Sequence, residues 1–147
     1  MADIKEKLAQ MFNKALELEH AARIQYLTHA QLVKGLYAEK IIERLNEIAS
    51  DEARHEEGFR EIIGVYLGQE PSMGIASTHR AAEIKEILEV NLKAEKEATD
   101  FYKAIYSEVM KNKESLQYSF VKIEHNLRHI IVDEEEHAAE LSLLLAV

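Results

Sequence analysis

Asp51-Glu-Ala-Arg-His55 and Asp133-Glu-Glu-Glu-His137 decide how this chain is read. Each contains a Glu-x-x-His pair, Glu52 with His55 and Glu134 with His137, and each pair follows a lone glutamate at core spacing. Glu19 stands 33 residues before Glu52, and Glu95 stands 39 residues before Glu134. Residues three apart on a helix share a face, so a glutamate and a histidine so placed can grip one ion together and share a second. A single Glu-x-x-His is common on helical surfaces. Two copies, each with its own upstream glutamate, supply a full donor set for two metal ions: Glu19, Glu52, His55, Glu95, Glu134 and His137.

Each of these residues falls in phase with an apolar stripe. Phe12, Ala15, Glu19, Ala22, Tyr26, Ala30 and Val33 recur at steps of three and four, as one face of a helix does. A second stripe runs Ile41, Leu45, Ile48, Glu52, His55, Phe59, Ile62, Tyr66. A third runs Ile84, Leu88, Asn91, Glu95, Ala98, Tyr102, Ile105, Val109, and a fourth Phe120, Ile123, Leu127, Ile130, Glu134, His137, Leu141, Leu144. Asp3 with Glu6 reads as a capping pair for the first helix, Gly35 as its stop, and Ser77 or Thr78 as the cap of the third. The breaks at Gly35 and at Lys111–Ser115 are short, whereas Gly68–Ser77 is longer and holds the sole proline. The expected fold is therefore all-α: a four-helix bundle of two antiparallel hairpins joined by one long crossover, as a single domain over 1–147.

The glutamates occupy positions where a bundle core would carry leucine. Glutamate is almost never fully buried unless paired. Four carboxylates converging on one level would repel one another and force some to stay protonated. Two divalent cations remove the conflict, and a mixed carboxylate and imidazole set suits iron or manganese and also takes zinc.

Bulk composition narrows the remaining classes. With 147 residues, 5 Gly and 1 Pro the chain favours long helices, and with no cysteine it excludes disulfides, thiolate metal sites and iron–sulfur clusters. A net charge of −9 argues against nucleic acid as a partner. No stretch approaches a membrane span, and Met1–Lys7 lacks the apolar core of a signal peptide, so a cytoplasmic location is expected.

The order and spacing of Glu19 with Tyr26, Asp51–His55, Glu95 with Tyr102 and Asp133–His137 resemble the ferritin-like di-iron carboxylate family, which includes bacterioferritins and rubrerythrins. The resemblance implies two iron ions per chain held by Glu19, Glu52, His55, Glu95, Glu134 and His137, with Glu52 and Glu134 bridging and Glu19 and Glu95 terminal. It implies a di-iron oxidoreductase of ferroxidase or peroxide-scavenging type, acting on Fe(II) with O2 or H2O2. A non-catalytic iron-storage protein and a manganese catalase-like enzyme are the alternatives. Ala53 stands where bacterioferritins place a haem-ligating methionine, so no haem is expected, and without cysteine there is no rubredoxin iron. Ten residues follow His137, too few for the short fifth helix of ferritin cages, so a homodimer or other small homo-oligomer is expected.

Smaller signals complete the reading. Glu52, Glu134, Tyr26 and Tyr102 are the candidate catalytic residues. Each tyrosine lies seven residues after a proposed ligand, where it can hydrogen-bond a carboxylate, carry an electron or simply fill the core. Asp51 and Asp133 are placed to bond the outer nitrogen of a histidine on the partner helix. His125 and His129, four apart, are either surface residues or a second metal pair. His20, His29 and His79 read as partly exposed, and Glu56, Glu57, Glu83, Glu86, Glu97, Glu135 and Glu136 as a solvated face. The C-terminal Leu141–Val147 is apolar almost all round and is expected to pack on a second subunit or under an overhang.

Overall fold

The computed structural model describes residues 3–146, so the readings made at Met1, Ala2 and Val147 lie outside the described residues. Four long helices account for most of it: α1 (Ile4–Ala30), α2 (Ala38–Glu61), α3 (Ile84–Lys111) and, after a single turn α4 (Lys113–Leu116), α5 (Phe120–Leu145). α1 packs along α2, α3 along α5, and α1 against α3. This is the all-α bundle of two hairpins joined by a long crossover, and no strand occurs among the described residues.

The stripes explain the packing. Leu8, Phe12, Leu16, Phe59, Ile62, Ile105, Val109, Ile123 and Leu127 form an apolar cluster toward one end of the bundle. Tyr26, Ile41, Leu45, Ile48, Leu88 and Leu141 form another toward the opposite end. The level between them belongs to the four glutamates and two histidines, all buried. Burial of each large apolar side chain in these clusters contributes about 1.5–3 kcal/mol.

Element ends differ from expectation in instructive ways. Asp3 caps α1, its Oδ1 accepting from the Lys5 amide at 3.0 Å. α1 ends at Ala30 rather than at Gly35; Gly35 (φ +98°) instead shapes the turn that returns the chain to α2, and Tyr37 (φ +67°) completes it. α2 runs into a π-helical turn at Ile62–Tyr66 before Gly68 (φ +65°) reverses the chain. Neither Ser77 nor Thr78 caps α3, because the crossover needs all the residues up to Glu83 to traverse the bundle. The reach-back contact comes from Glu86, whose Oε1 accepts from the Ala82 amide at 2.9 Å. At the C-terminal end Leu141 is buried and Leu144 and Leu145 pack on the nearby cluster, while Leu143 is 71% exposed.

The crossover lies along α1 and is fastened by polar side chains. Asn13 accepts from the Ser72 amide (2.7 Å) and donates to the Glu70 carbonyl (3.1 Å), and the Ala76 amide donates to the Glu17 carbonyl (3.1 Å). His20 donates from Nδ1 to the Gly74 carbonyl at 2.6 Å. That bond leaves its Nε2 to accept from Arg60 at 2.7 Å. Two sequence readings are corrected here. His20 and His29 are buried rather than partly exposed, because the crossover covers them. Glu56 is not on the solvated face: it is 4% exposed, enclosed by Arg23 and Arg60, which neutralise it.

Candidate metal centre

Each long helix contributes ligand-type side chains at the same level: Glu19 from α1, Glu52 and His55 from α2, Glu95 from α3, Glu134 and His137 from α5. None is more than 3% exposed. Two overlapping groups result, Glu19–Glu52–His55–Glu134 and Glu52–Glu95–Glu134–His137, in each of which one donor atom per residue lies within 4.8 Å of the others. Glu52 and Glu134 are common to both groups. Glu134 Oε1 is 3.0 Å from His55 Nδ1 and 3.6 Å from His137 Nδ1, and Glu52 Oε1 is 3.4 and 3.5 Å from the same two atoms.

Both imidazoles are oriented from outside. His55 Nε2 lies 2.8 Å from Asp133 Oδ2, and His137 Nε2 lies 2.8 Å from Asp51 Oδ2, each bond crossing between α2 and α5. With Nε2 donating outward, each Nδ1 faces inward among the glutamates, where giving up its proton would supply the lone pair a metal ligand requires. Burial works against the ionised form of Asp51, but the His137 hydrogen bond and the neighbouring Arg54 outweigh it and hold that carboxyl below its ordinary value.

The interior is electrostatically frustrated without cations. Burial, reinforced by Glu134, pushes Glu19 up to about 7, and burial with the neighbouring glutamates pushes Glu52 and Glu95 well above the carboxylate range. Burial alone would lower the histidines, but the glutamate oxygens crowded around each Nδ1 reverse this, taking His137 to about 12 and raising His55 strongly. Protons thus stand in for missing positive charge. Even so, Glu19 Oε2, Glu52 Oε1, Glu95 Oε2, Glu134 Oε1 and His137 Nδ1 are buried with no hydrogen-bond partner. Unpaired buried polar atoms each cost on the order of 1–3 kcal/mol, and these five belong to the two overlapping groups whose donors a cation would satisfy. The donor set fits the metals inferred from sequence.

The tyrosines behave differently from each other. Tyr26 donates to Glu95 Oε1 at 2.6 Å. The Tyr102 hydroxyl turns to the Ala15 carbonyl at 3.4 Å, and its ring packs edge-on against Phe59. Burial, then nearby glutamates, raises both phenols well above their ordinary value. His125 and His129 lie with ring centroids 4.3 Å apart and planes tilted by 46° on an exposed face, but no third ligand-type side chain joins them among the described residues.

A cavity of about 70 Å³ reaches this level between α1 and α3. Its lining runs from the buried Glu19, Glu52, Glu95 and Glu134 out to the exposed Ser77, His79 and Glu97. Beside it lies a polar chain that sequence reasoning did not assemble. Gln25 donates to Asn91 Oδ1 (3.0 Å), and Asn91 donates to His29 Nδ1 (2.9 Å) and to the Ile87 carbonyl (2.8 Å). Asn91, a polar residue in the third core stripe one turn before Glu95, was the available signal.

The sequence profile of the ferritin-like domain family matches residues 9–147. The "Bacterial ferritin" of Neisseria meningitidis serogroup B is 32% identical over 98 residues, which are 67% of this chain and 63% of that protein, so the match spans less than two thirds of the relative's length. A crystal structure of a ferritin-like, diiron-carboxylate protein from Bacillus anthracis aligns over 99% of both chains with a TM-score of 0.89 and 26% identity. Rhodobacter capsulatus bacterioferritin aligns over 96% of this chain and 84% of its own with a TM-score of 0.85 at 21% identity, a likeness of fold. With residues 9–147 matched and the helical architecture shared, this chain belongs to the ferritin-like domain family.

Proposed function

We propose that Glu19, Glu52, His55, Glu95, Glu134 and His137 hold two iron ions and that the protein is a di-iron oxidoreductase, oxidising Fe(II) with dioxygen or hydrogen peroxide. The observation that carries this reading is the two overlapping buried donor groups sharing Glu52 and Glu134, in which five polar atoms have no hydrogen-bond partner. The kinship with a di-iron-carboxylate neighbour of 26% identity supports it.

An iron pair, when bound, supplies the electrons: two Fe(II) reduce one H2O2, with two protons, to two waters. The chain's own residues do the rest. Glu52 and Glu134, each near both histidines, would serve both ions, and Glu19 and Glu95 would each complete one of the two donor groups. Asp133 and Asp51 keep each imidazole aimed inward. Tyr26 donates to Glu95, fixing which oxygen of that carboxylate stays available. The slot of about 70 Å³ has room for a few molecules the size of water, dioxygen or peroxide. The Ala53 position and the donor set call for no haem.

A second reading, iron binding without turnover, has the same donors and the ferritin naming of the Neisseria relative in its favour. Repeated aerobic additions of Fe(II) separate the two. An enzyme oxidises each addition at a similar rate, whereas a store slows after the first and retains the iron. Size-exclusion light scattering on the same sample tests the dimer or small assembly proposed here against a cage.

A further inference from the structure

The crossover is held at Ala76 by Glu17 and at Ala82 by Glu86. Between those points Ser77, Thr78, His79 and Arg80 are all exposed, and open space flanks them: a cavity of about 610 Å³ on one side and another of about 440 Å³ on the other. His79 lines both of these and also the slot that leads to the glutamates. Ala81 is buried in the neighbouring apolar cluster, but no apolar packing fixes the stretch Ser77–Arg80. What fixes it is a pair of hydrogen bonds to the backbone of one residue. The His79 amide donates to Gln25 Oε1 (2.7 Å), and the His79 carbonyl accepts from His29 Nε2 (3.0 Å). Both side chains are buried, and Asn91 ties them together, accepting from Gln25 and donating to His29 Nδ1. The carbonyl acceptor forces the Nε2–H tautomer on His29, which makes its Nδ1 the acceptor Asn91 needs. Every member of the chain is oriented by the next.

We propose that Gln25, Asn91 and His29 are positioning residues that latch the backbone of His79 and so set the width of the slot to the four glutamates, selecting small inorganic molecules over larger ones. Breaking the chain at one member releases residues 77–80 into the flanking space without touching a proposed metal ligand, while Ala81 stays in the apolar cluster. The consequence for metal access rests on the function proposed above; the latch itself does not.

The test uses the full chain with Gln25→Met or Asn91→Leu, which keep apolar bulk while removing the polar link. In metal-free protein, hydrogen exchange in a peptide spanning residues 77–81 is expected to accelerate by about tenfold or more, as for the loss of two ordinary hydrogen bonds, with exchange in the helices unchanged. In protein loaded with Co(II), removal of the metal by EDTA is expected to accelerate by a similar factor, whereas His79→Ala, whose bonds are made by its backbone, keeps the wild-type exchange rate. Unchanged exchange at 77–81, or a rise spread evenly over all four helices in both variants, overturns the latch. Faster exchange with an unchanged EDTA rate overturns its control of access. Failure of Co(II) to bind wild-type protein would count against the metal site alone, since the exchange measurement stands without it.

Discussion

At the scale of single residues, the centre is a contest between burial and charge that protons settle only partly. Glu19, Glu52 and Glu95 are held above the ordinary carboxylate range, yet five donor atoms at the same level stay unpaired. The histidines are pinned from outside, and this gives the least obvious residues a measurable role. Asp51→Ala or Asp133→Ala removes an acceptor half-buried at the rim, leaving all six proposed ligands in place. Each is expected to weaken metal binding by about 10–100-fold while leaving helical content unchanged. Competition against a chromophoric chelator measures this, and wild-type affinity in both variants would show that the imidazoles need no such support.

At the scale of elements, the periodic helices were the legible part. Stripes at steps of three and four placed Glu19, Glu52, Glu95 and Glu134 on inward faces, and short breaks implied the two hairpins. Ends and connections were harder to read. A helix cap is a local signal, and Ser77 and Thr78 offered one, but the crossover's anchorage on α1 overrides it and delays α3 to Ile84. The burial of Glu56 and His20 depends on which loop and which arginines arrive from elsewhere in the chain, and no periodicity encodes that. The cross-helix aspartate bonds were legible because they repeat the symmetry of the two Glu-x-x-His copies. Gly35 illustrates how one residue shapes a connection: at φ +98° it occupies a region that side chains avoid. Gly35→Ala is expected to destabilise the protein by about 1–2 kcal/mol although nothing stands near an added methyl group. Urea denaturation checks this, and an unchanged midpoint would mean the turn relaxes at no cost.

At the scale of the whole molecule, the bundle is two apolar clusters divided by a charged layer, so its stability and its metal content should be linked through protons. The folded-state value of Glu19 is raised from 4.5 to about 7, so its contribution is fully present below 4.5 and lost as pH rises through about 7. His137, raised from 6.5 to about 12, contributes in the same direction, its share fully present below 6.5 and lost as pH rises toward about 12. Metal-free protein should therefore melt at progressively lower temperature as pH rises from 4.5 to 7, while a saturating divalent metal reverses the trend by replacing those protons. Thermal scans with and without metal across that range would show it, and parallel curves would contradict it. No described helix is long and apolar enough to cross a membrane. The central claim is that six buried side chains form one two-metal centre. The most direct test is an anaerobic Fe(II) titration of metal-free protein beside Glu52→Leu, followed by admission of air under near-ultraviolet observation. The account predicts saturation at about two Fe(II) per chain and a ferric absorbance on oxidation in the wild type. Glu52→Leu should lose both and, freed of one buried carboxyl, melt at a higher temperature when metal-free. Equal iron binding by the two proteins, or none by either, would contradict it.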